Sequence, residues 1–150
     1  MSFLIREAAP QDAHALKELY FEHLTAFPPT EEQDLSLWRE KLAAFAQNPD
    51  YHLPVLEEDG KVVSSVTLVI IENLTHNMRP YAVMENVVTH AQYRGKHYCS
   101  MLIHHAREIA VSRHCCKIML MTGSKKESTL RFYRNCSFDQ TAKTAFLMKL

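Results

Sequence analysis

Glycine is scarce in this chain, with three among 150 residues against an average of about 7%. The shortage matters because a phosphate-binding loop normally spends about two or three of them. Long apolar runs are also lacking. Stretches such as Val66 to Ile71 are far too short to cross a bilayer, and Met1-Ser2-Phe3-Leu4 runs into Arg6-Glu7 without a signal-peptide pattern. The expectation is a soluble, cytoplasmic protein with no membrane partner. Neither sign of charge is in excess: 17 basic residues balance 17 acidic ones. No global field therefore draws in nucleic acid, and phosphate binding has to come from a local arrangement. That points to a small ligand. The four cysteines, Cys99, Cys115, Cys116 and Cys136, lack C-x-x-C spacing and read as free thiols in a reducing cytosol. The nine histidines include His104-His105 and His114 beside Cys115-Cys116, but without the spacing of a structural zinc site. No metal is expected.

The length suits one domain, large enough to bury a core without disulfides or metals. Phe3 to Ala8 reads as a first strand. Pro10 suits the first position of a helix that carries Leu16, Leu19, Tyr20 and Leu24, with Asp12 at the positive end of its dipole. Thr30-Glu31-Glu32-Gln33 has capping-box form and starts a second helix, with Leu35, Trp38, Leu42 and Phe45 on one face, read as core. Two strands, His52–Leu56 and Val62–Ile70, flank the hairpin dipeptide Asp59-Gly60. After a polar loop, Asn73 to Arg79, come a strand (Tyr81 to Thr89), a helix burying Met101, Leu102, Ala106, Ile109 and Ala110, and a strand over Lys117–Met121. Ser124-Lys125-Lys126-Glu127 is a second capping-box pattern, and Phe138 and Ala145–Met148 make the last two strands. The fold class is α/β (α+β): a mixed central sheet of about seven strands flanked by about four helices.

The stretch from Glu85 to Cys99 is the most informative. A strand feeding a glycine-containing loop into a helix N-terminus presents unpaired backbone N–H groups at the positive end of a dipole, which suits a diphosphate. Arg94 and Lys96 add local positive charge. The other reading is a strand-to-helix turn whose charges point into water, since one strand–Gly–helix pattern is a weak motif.

The whole chain resembles the GNAT superfamily of N-acetyltransferases. Gln92-Tyr93-Arg94-Gly95-Lys96-His97 is similar to that family's pyrophosphate loop, Gln/Arg-x-x-Gly-x-Gly/Ala, and departs from it at His97. Phe132-Tyr133-Arg134-Asn135-Cys136-Ser137-Phe138 resembles the later Phe-Tyr-x-x-x-Gly-Phe segment, with Ser137 where glycine is usual. The resemblance implies acetyl-CoA as acetyl donor. Asn86, Val87 and Val88 would pair their main chain with the pantetheine arm. Arg94, Gly95, Lys96, His97, Tyr98 and Cys99, with Ser100 just inside the helix, would cradle the diphosphate. Tyr133 would stand at the general-acid position, near the departing sulfur.

An amine attacks a thioester only when neutral, so a base must take its proton, and Glu85 is the candidate; its bland reading is a surface carboxylate or a binder of a cationic substrate. A tyrosine with a pKa of about 10 can protonate a leaving sulfur at neutral pH; its bland reading is a core aromatic. Cys99, at a helix start, is expected to be an inert packed thiol. The resemblance implies direct transfer to the amine of a small molecule. The alternative is a degenerate GNAT domain that binds CoA or a protein partner without efficient catalysis, motivated by the glycines missing at positions 97, 99 and 137. The layout is nearest to enzymes acting on aminosugar phosphates and aminoalkylphosphonates, but no motif selects an acceptor. His23, His76 and Arg79, with Glu85, are the candidate acceptor contacts. A C-terminal strand pair also offers an edge to a second copy, making a homodimer.

Overall fold

The computed structural model describes residues 2–25 and 32–150. Its elements are β1 (Phe3–Glu7), α1 (Ala13–His23), α2 (Leu35–Ala46), β2 (Tyr51–His52), β3 (Pro54–Glu58), β4 (Lys61–Ile71), α3 (Thr75–Met78), β5 (Tyr81–Thr89), α4 (Tyr98–Ser112), β6 (Ile118–Leu120) and α5 (Glu127–Asn135). Short 3-10 turns lie at Pro10–Asp12 and Ala91–Tyr93. The strands form one six-stranded sheet in the order β1-β3-β4-β5-β6, with β2 also paired to β4. Neighbours are antiparallel except β5 and β6, which run parallel across the α4 crossover.

Local chemistry explains the framework. Asp59 and Gly60 hold φ of 49° and 83°, as a two-residue hairpin loop between strands of native twist requires. Pro10 opens the 3-10 turn that leads into α1. Asp12 there accepts from the Ala9 N–H at 2.8 Å and from both Arg6 terminal nitrogens, at 2.7 and 2.9 Å. Helices cover both faces of the sheet. On one, Leu16, Leu19 and Leu42 of α1 and α2 pack against Val55, Val62 and Val88. On the other, Leu102, Ala106 and Ala110 of α4 pack against Leu56, Val63, Leu68 and Met84. Central β4 is consequently buried at nearly every position.

The structure corrects three expectations. Helix α2 starts at Leu35, where the Asp34 carboxylate accepts from the Ser36 N–H at 2.9 Å; Thr30 and Glu31 lie outside the described residues, and Glu32 and Gln33 are not helical. Helix α5 starts at Glu127, and Ser124 instead accepts from the Lys126 N–H at 3.3 Å and donates to Thr129 at 3.2 Å in the preceding turn. The last two strands do not form. Phe138 packs against the core, Asp139 turns the chain through bonds to Thr141, and Phe146, Leu147 and Met148 are 91%, 80% and 82% exposed. A strand needs a partner ladder, and the tail has none here. Among the described residues the sheet has six strands and is flanked by five α-helices, which agrees with the expected mixed sheet of about seven strands and about four helices.

Candidate active site

A bulge in β5 organises the site. The β4–β5 ladder pairs Ser65 with Val88 but Thr67 with Glu85, so β5 carries one extra residue there. Asn86 absorbs it with a φ of 51°. On the other edge of β5, pairing to β6 stops at Met84–Leu120. Past that point β5 has no β6 partner, and Val87, Val88 and Thr89 line a cavity of about 500 Å³ together with Gly95, His97, Cys99 and Ser100 of the loop and α4, and Ser128, Thr129, Phe132 and Tyr133 of α5.

The loop is shaped by its own residues. His90 Nδ1 accepts from the Gln92 N–H at 3.2 Å, and exposed Arg94 donates from Nε to the Thr89 carbonyl at 3.3 Å. Gly95 has a φ of 82°, with open space where a Cβ would lie. His97 is the N-cap of α4 in left-handed backbone, φ 63°, and its side chain makes no capping bond. The first N–H groups of a helix have no intrahelical acceptor, so this end of α4 is available to an acceptor from outside. Ser100 Oγ donates back to the His97 carbonyl at 2.8 Å.

Lys96 differs from expectation. Its ammonium ion-pairs with buried Glu58 at 3.0 and 3.2 Å and lies 5.0 Å from the Tyr93 ring centre. Its charge compensates a carboxylate as well as adding to the loop. Tyr98 turns inward and donates to Glu58 at 2.5 Å. These contacts hold the Glu58 carboxyl below its ordinary range, the Tyr98 bond first and the Lys96 bond second, and the carboxylate pushes the Tyr98 phenol up to about 12. Glu58 belongs to no motif, and sequence reasoning missed it.

Tyr133 is half-buried, edge-on to Phe132 at 5.3 Å and to Phe138 at 6.2 Å. Among the described residues its hydroxyl has no hydrogen-bond partner. Burial, with Cys99, Cys136 and Glu85 nearby, pushes its phenol up to about 12. Glu85 is exposed on β5, one residue before the bulge, and does not line this cavity. Burial, with Cys136 next in weight, pushes the Cys99 thiol up to about 12, which makes it inert rather than activated.

The acceptor contacts separate. His23 lines the cavity beside the loop, accepts from the Ala91 N–H through Nδ1 at 3.3 Å, and lies 4.1 Å from the His90 ring centre. His76 holds left-handed backbone in exposed α3 and bonds Thr75 at 3.1 Å. Arg79 donates to the His114 and Cys115 carbonyls at 3.1 and 2.9 Å, beyond the far end of α4. Both stand at the Ile71–Tyr81 end of the β4–β5 ladder, while Glu85 stands at its bulge. Neither lines a cavity described here.

A second cavity, of about 360 Å³, opens between α1, α2 and β2, and Asn86 lines it from the opposite side of the bulge. Its walls include Trp38 and Phe45, which helical spacing assigns to core. Among the described residues no group of three or more His, Cys, Asp or Glu side chains could hold a metal, and no helix is long and apolar enough to cross a membrane.

Residues 13–138 match the model of the acetyltransferase (GNAT) family. A protein of Agrobacterium tumefaciens strain C58 described as an acetyltransferase has the same fold at a TM-score of 0.86 and 37% identity, over 98% of this chain and 99% of that one. Glucosamine-6-phosphate N-acetyltransferase of Arabidopsis thaliana gives a TM-score of 0.80 at 19% identity, over 100% and 99%. AAC(6′)-Iy, in complex with the bisubstrate analogue CoA-S-monomethyl-acetylneamine, gives 0.78 at 12%, over 100% and 99%. The last two likenesses are of fold alone. The family match, with the 37% relative along nearly its whole length, settles the classification: this chain belongs to the GNAT acetyltransferase family.

Proposed function

We propose that the chain is a single-domain, cytoplasmic N-acetyltransferase that passes an acetyl group from acetyl-CoA directly to the amine of a small molecule. The observation that carries this reading is the end of β5–β6 pairing at Met84–Leu120, beyond which Val87–Thr89 floor a cavity bounded by the loop and Tyr133. Its shape and chemistry fit the donor: an unpaired strand edge for an extended amide-bearing arm, and a helix N-terminus for a diphosphate. Members of the GNAT family generally use acetyl-CoA, which supplies an acyl group activated as a thioester.

The chain's own residues do the rest. Main-chain groups of Asn86, Val87 and Val88 align the pantetheine arm, and one N–H there polarises the thioester carbonyl. Backbone N–H groups from Arg94 to Ser100 cradle the diphosphate, with Arg94 adding charge. Glu85, directly or through water, takes the proton that the amine must lose to attack. Tyr133, kept protonated by its raised pKa, delivers a proton to the departing sulfur. No metal is assigned a role.

The reading of a degenerate domain rested on the missing glycines. His97 and Ser137 nonetheless hold φ of 63° and 73°, the left-handed geometry for which glycine is usually chosen, so the backbone shape survives the substitutions. The exposed tail from Ala145 to Leu150 suits strand pairing with a second copy, and a homodimer is part of the proposal. The test is calorimetric titration with acetyl-CoA alongside thermal unfolding. Ligand at about a hundred times its dissociation constant should stabilise the fold by ~2.7 kcal/mol; no binding heat and no shift in melting at millimolar acetyl-CoA would overturn the assignment.

A further inference from the structure

The second cavity bears on what the acceptor is, and its reading rests on the acetyltransferase proposal above. Asn86 and Val87 are consecutive at the bulge, yet Asn86 lines the cavity between α1 and α2 while Val87 lines the one beside the loop and Tyr133. The two spaces therefore flank β5 at its bulge, one on each side of the proposed acyl position.

The smaller cavity is walled by carbon. Tyr20, Trp38, Leu42, Phe45, Tyr51 and Leu53 form most of it. Phe45 and Tyr51 stack with ring centres 3.8 Å apart, and Tyr20 and Trp38 lie 6.0 Å apart at a tilt. Burial raises the Tyr20 and Tyr51 phenols. Its polar complement is small. Gln33 is already engaged by the Trp38 indole N–H at 3.1 Å, which leaves Lys41, Asn86 and the hydroxyls of Tyr20 and Tyr51. Among the described residues no carboxylate and no arginine lines the cavity.

Each common acceptor class makes a demand on such a wall. A polycationic aminoglycoside needs several carboxylates, and the one charged side chain among the described lining residues is Lys41, which repels it. A sugar phosphate needs several donors for its phosphate and paired groups for its hydroxyls, and its polyol would lose hydration against aromatic faces without compensation. An amine on an apolar body sets that body against the aromatic faces at no polar cost, and its single charge is tolerated by those faces before Glu85 neutralises it. We infer that the acceptor is a small primary amine on an aryl or branched-alkyl body, seated between α1 and α2 with its nitrogen directed to Asn86 and Glu85.

Trp38 is the single tryptophan of the chain, so its fluorescence reports occupancy of this cavity independently of turnover. The experiment compares 2-phenylethylamine and isoamylamine with glucosamine 6-phosphate and kanamycin, reading CoA thiol release with acetyl-CoA saturating and Trp38 emission in parallel. The expected result is a kcat/KM at least about tenfold higher for the two apolar amines, the scale on which apolar pockets discriminate, with a saturable change in Trp38 emission. Leu37, exposed on the cavity wall, supplies a variant that should still fold: Leu37→Glu should lower kcat/KM for 2-phenylethylamine at least about tenfold while acetyl-CoA affinity holds. Faster turnover of the phosphosugar or of kanamycin overturns this inference and leaves the acetyltransferase reading standing. No release with any amine, despite bound acetyl-CoA and a saturable Trp38 response to 2-phenylethylamine, overturns the catalytic reading but supports the pocket's preference. No release and a silent Trp38 overturn both.

Discussion

The Tyr98 hydroxyl donates to Glu58 across 2.5 Å, and the same carboxylate holds Lys96 at 3.0 Å. The first turn of α4 and the loop before it are thus fastened to the end of β3. Removing one tie should loosen the loop without touching the reacting atoms. Tyr98→Phe is expected to weaken acetyl-CoA binding by roughly three- to tenfold, the worth of one hydrogen bond, with kcat at saturation nearly unchanged. Calorimetry with steady-state kinetics checks this, and unaltered affinity would show the tie to be structural only.

His97 and Ser137 carry left-handed backbone on ordinary side chains. Such geometry costs roughly 1–2 kcal/mol for an L-residue, while glycine gives back about 0.5–1 kcal/mol through the unfolded chain. His97→Gly and Ser137→Gly should each stabilise the fold by up to about 1 kcal/mol in denaturant titrations. Acetyl-CoA affinity of His97→Gly is expected to stay equal or tighten. A loss of affinity that grows at lower pH would instead show a charged His97 bonding the phosphate.

Tyr133→Phe removes a proton donor while keeping the ring's contacts with Phe132 and Phe138. Turnover should fall by about 10²–10⁴-fold with acetyl-CoA affinity close to that of the parent. Because the phenol is pushed up to about 12, wild-type turnover should show no alkaline loss from this group below about pH 10. Glu85→Gln should also lower turnover, with a deficit that shrinks at high pH, where more amine is already neutral. Turnover unchanged in both variants would contradict these roles.

Burial alone would raise the Asp12 carboxyl, but bonds from Arg6 and the Ala9 N–H outweigh it and hold it below 3.8. A depressed carboxyl contributes stability above its unfolded pKa and loses it as pH falls through the folded value. Asp12→Asn should therefore destabilise the fold at pH 7 by about 1.5–3 kcal/mol, and the gap to wild type should narrow below pH 4 or so. An equal gap at both pH values would rule out the charge as its cause.

The sequence exposed some of this more readily than the rest. Asp59-Gly60 was legible because a two-residue hairpin demands positive φ at both positions, and the strand–loop–helix from Glu85 to Cys99 because glycine, strand and helix signals coincide there. The starts of α2 and α5 were not, since capping-box patterns recur by chance and nearer geometry at Asp34 and Lys126 prevails. Ala145–Met148 has strand composition, but composition does not supply a partner. Trp38 and Phe45 show why the second cavity stayed hidden: spacing along a helix reports a buried face without saying whether protein or cavity lies opposite it. Arg79 and Glu58 depend on contacts 35 or more residues away, which no local pattern encodes.

The most direct measurement is CoA thiol release from acetyl-CoA with a panel of primary amines, set against the rate without amine. Release that depends on amine, saturates with it and collapses in Tyr133→Phe is the expected result. Acetyl-CoA that binds, as calorimetry would register, yet yields no release above background with any amine would contradict the proposal of an acetyl-transferring enzyme.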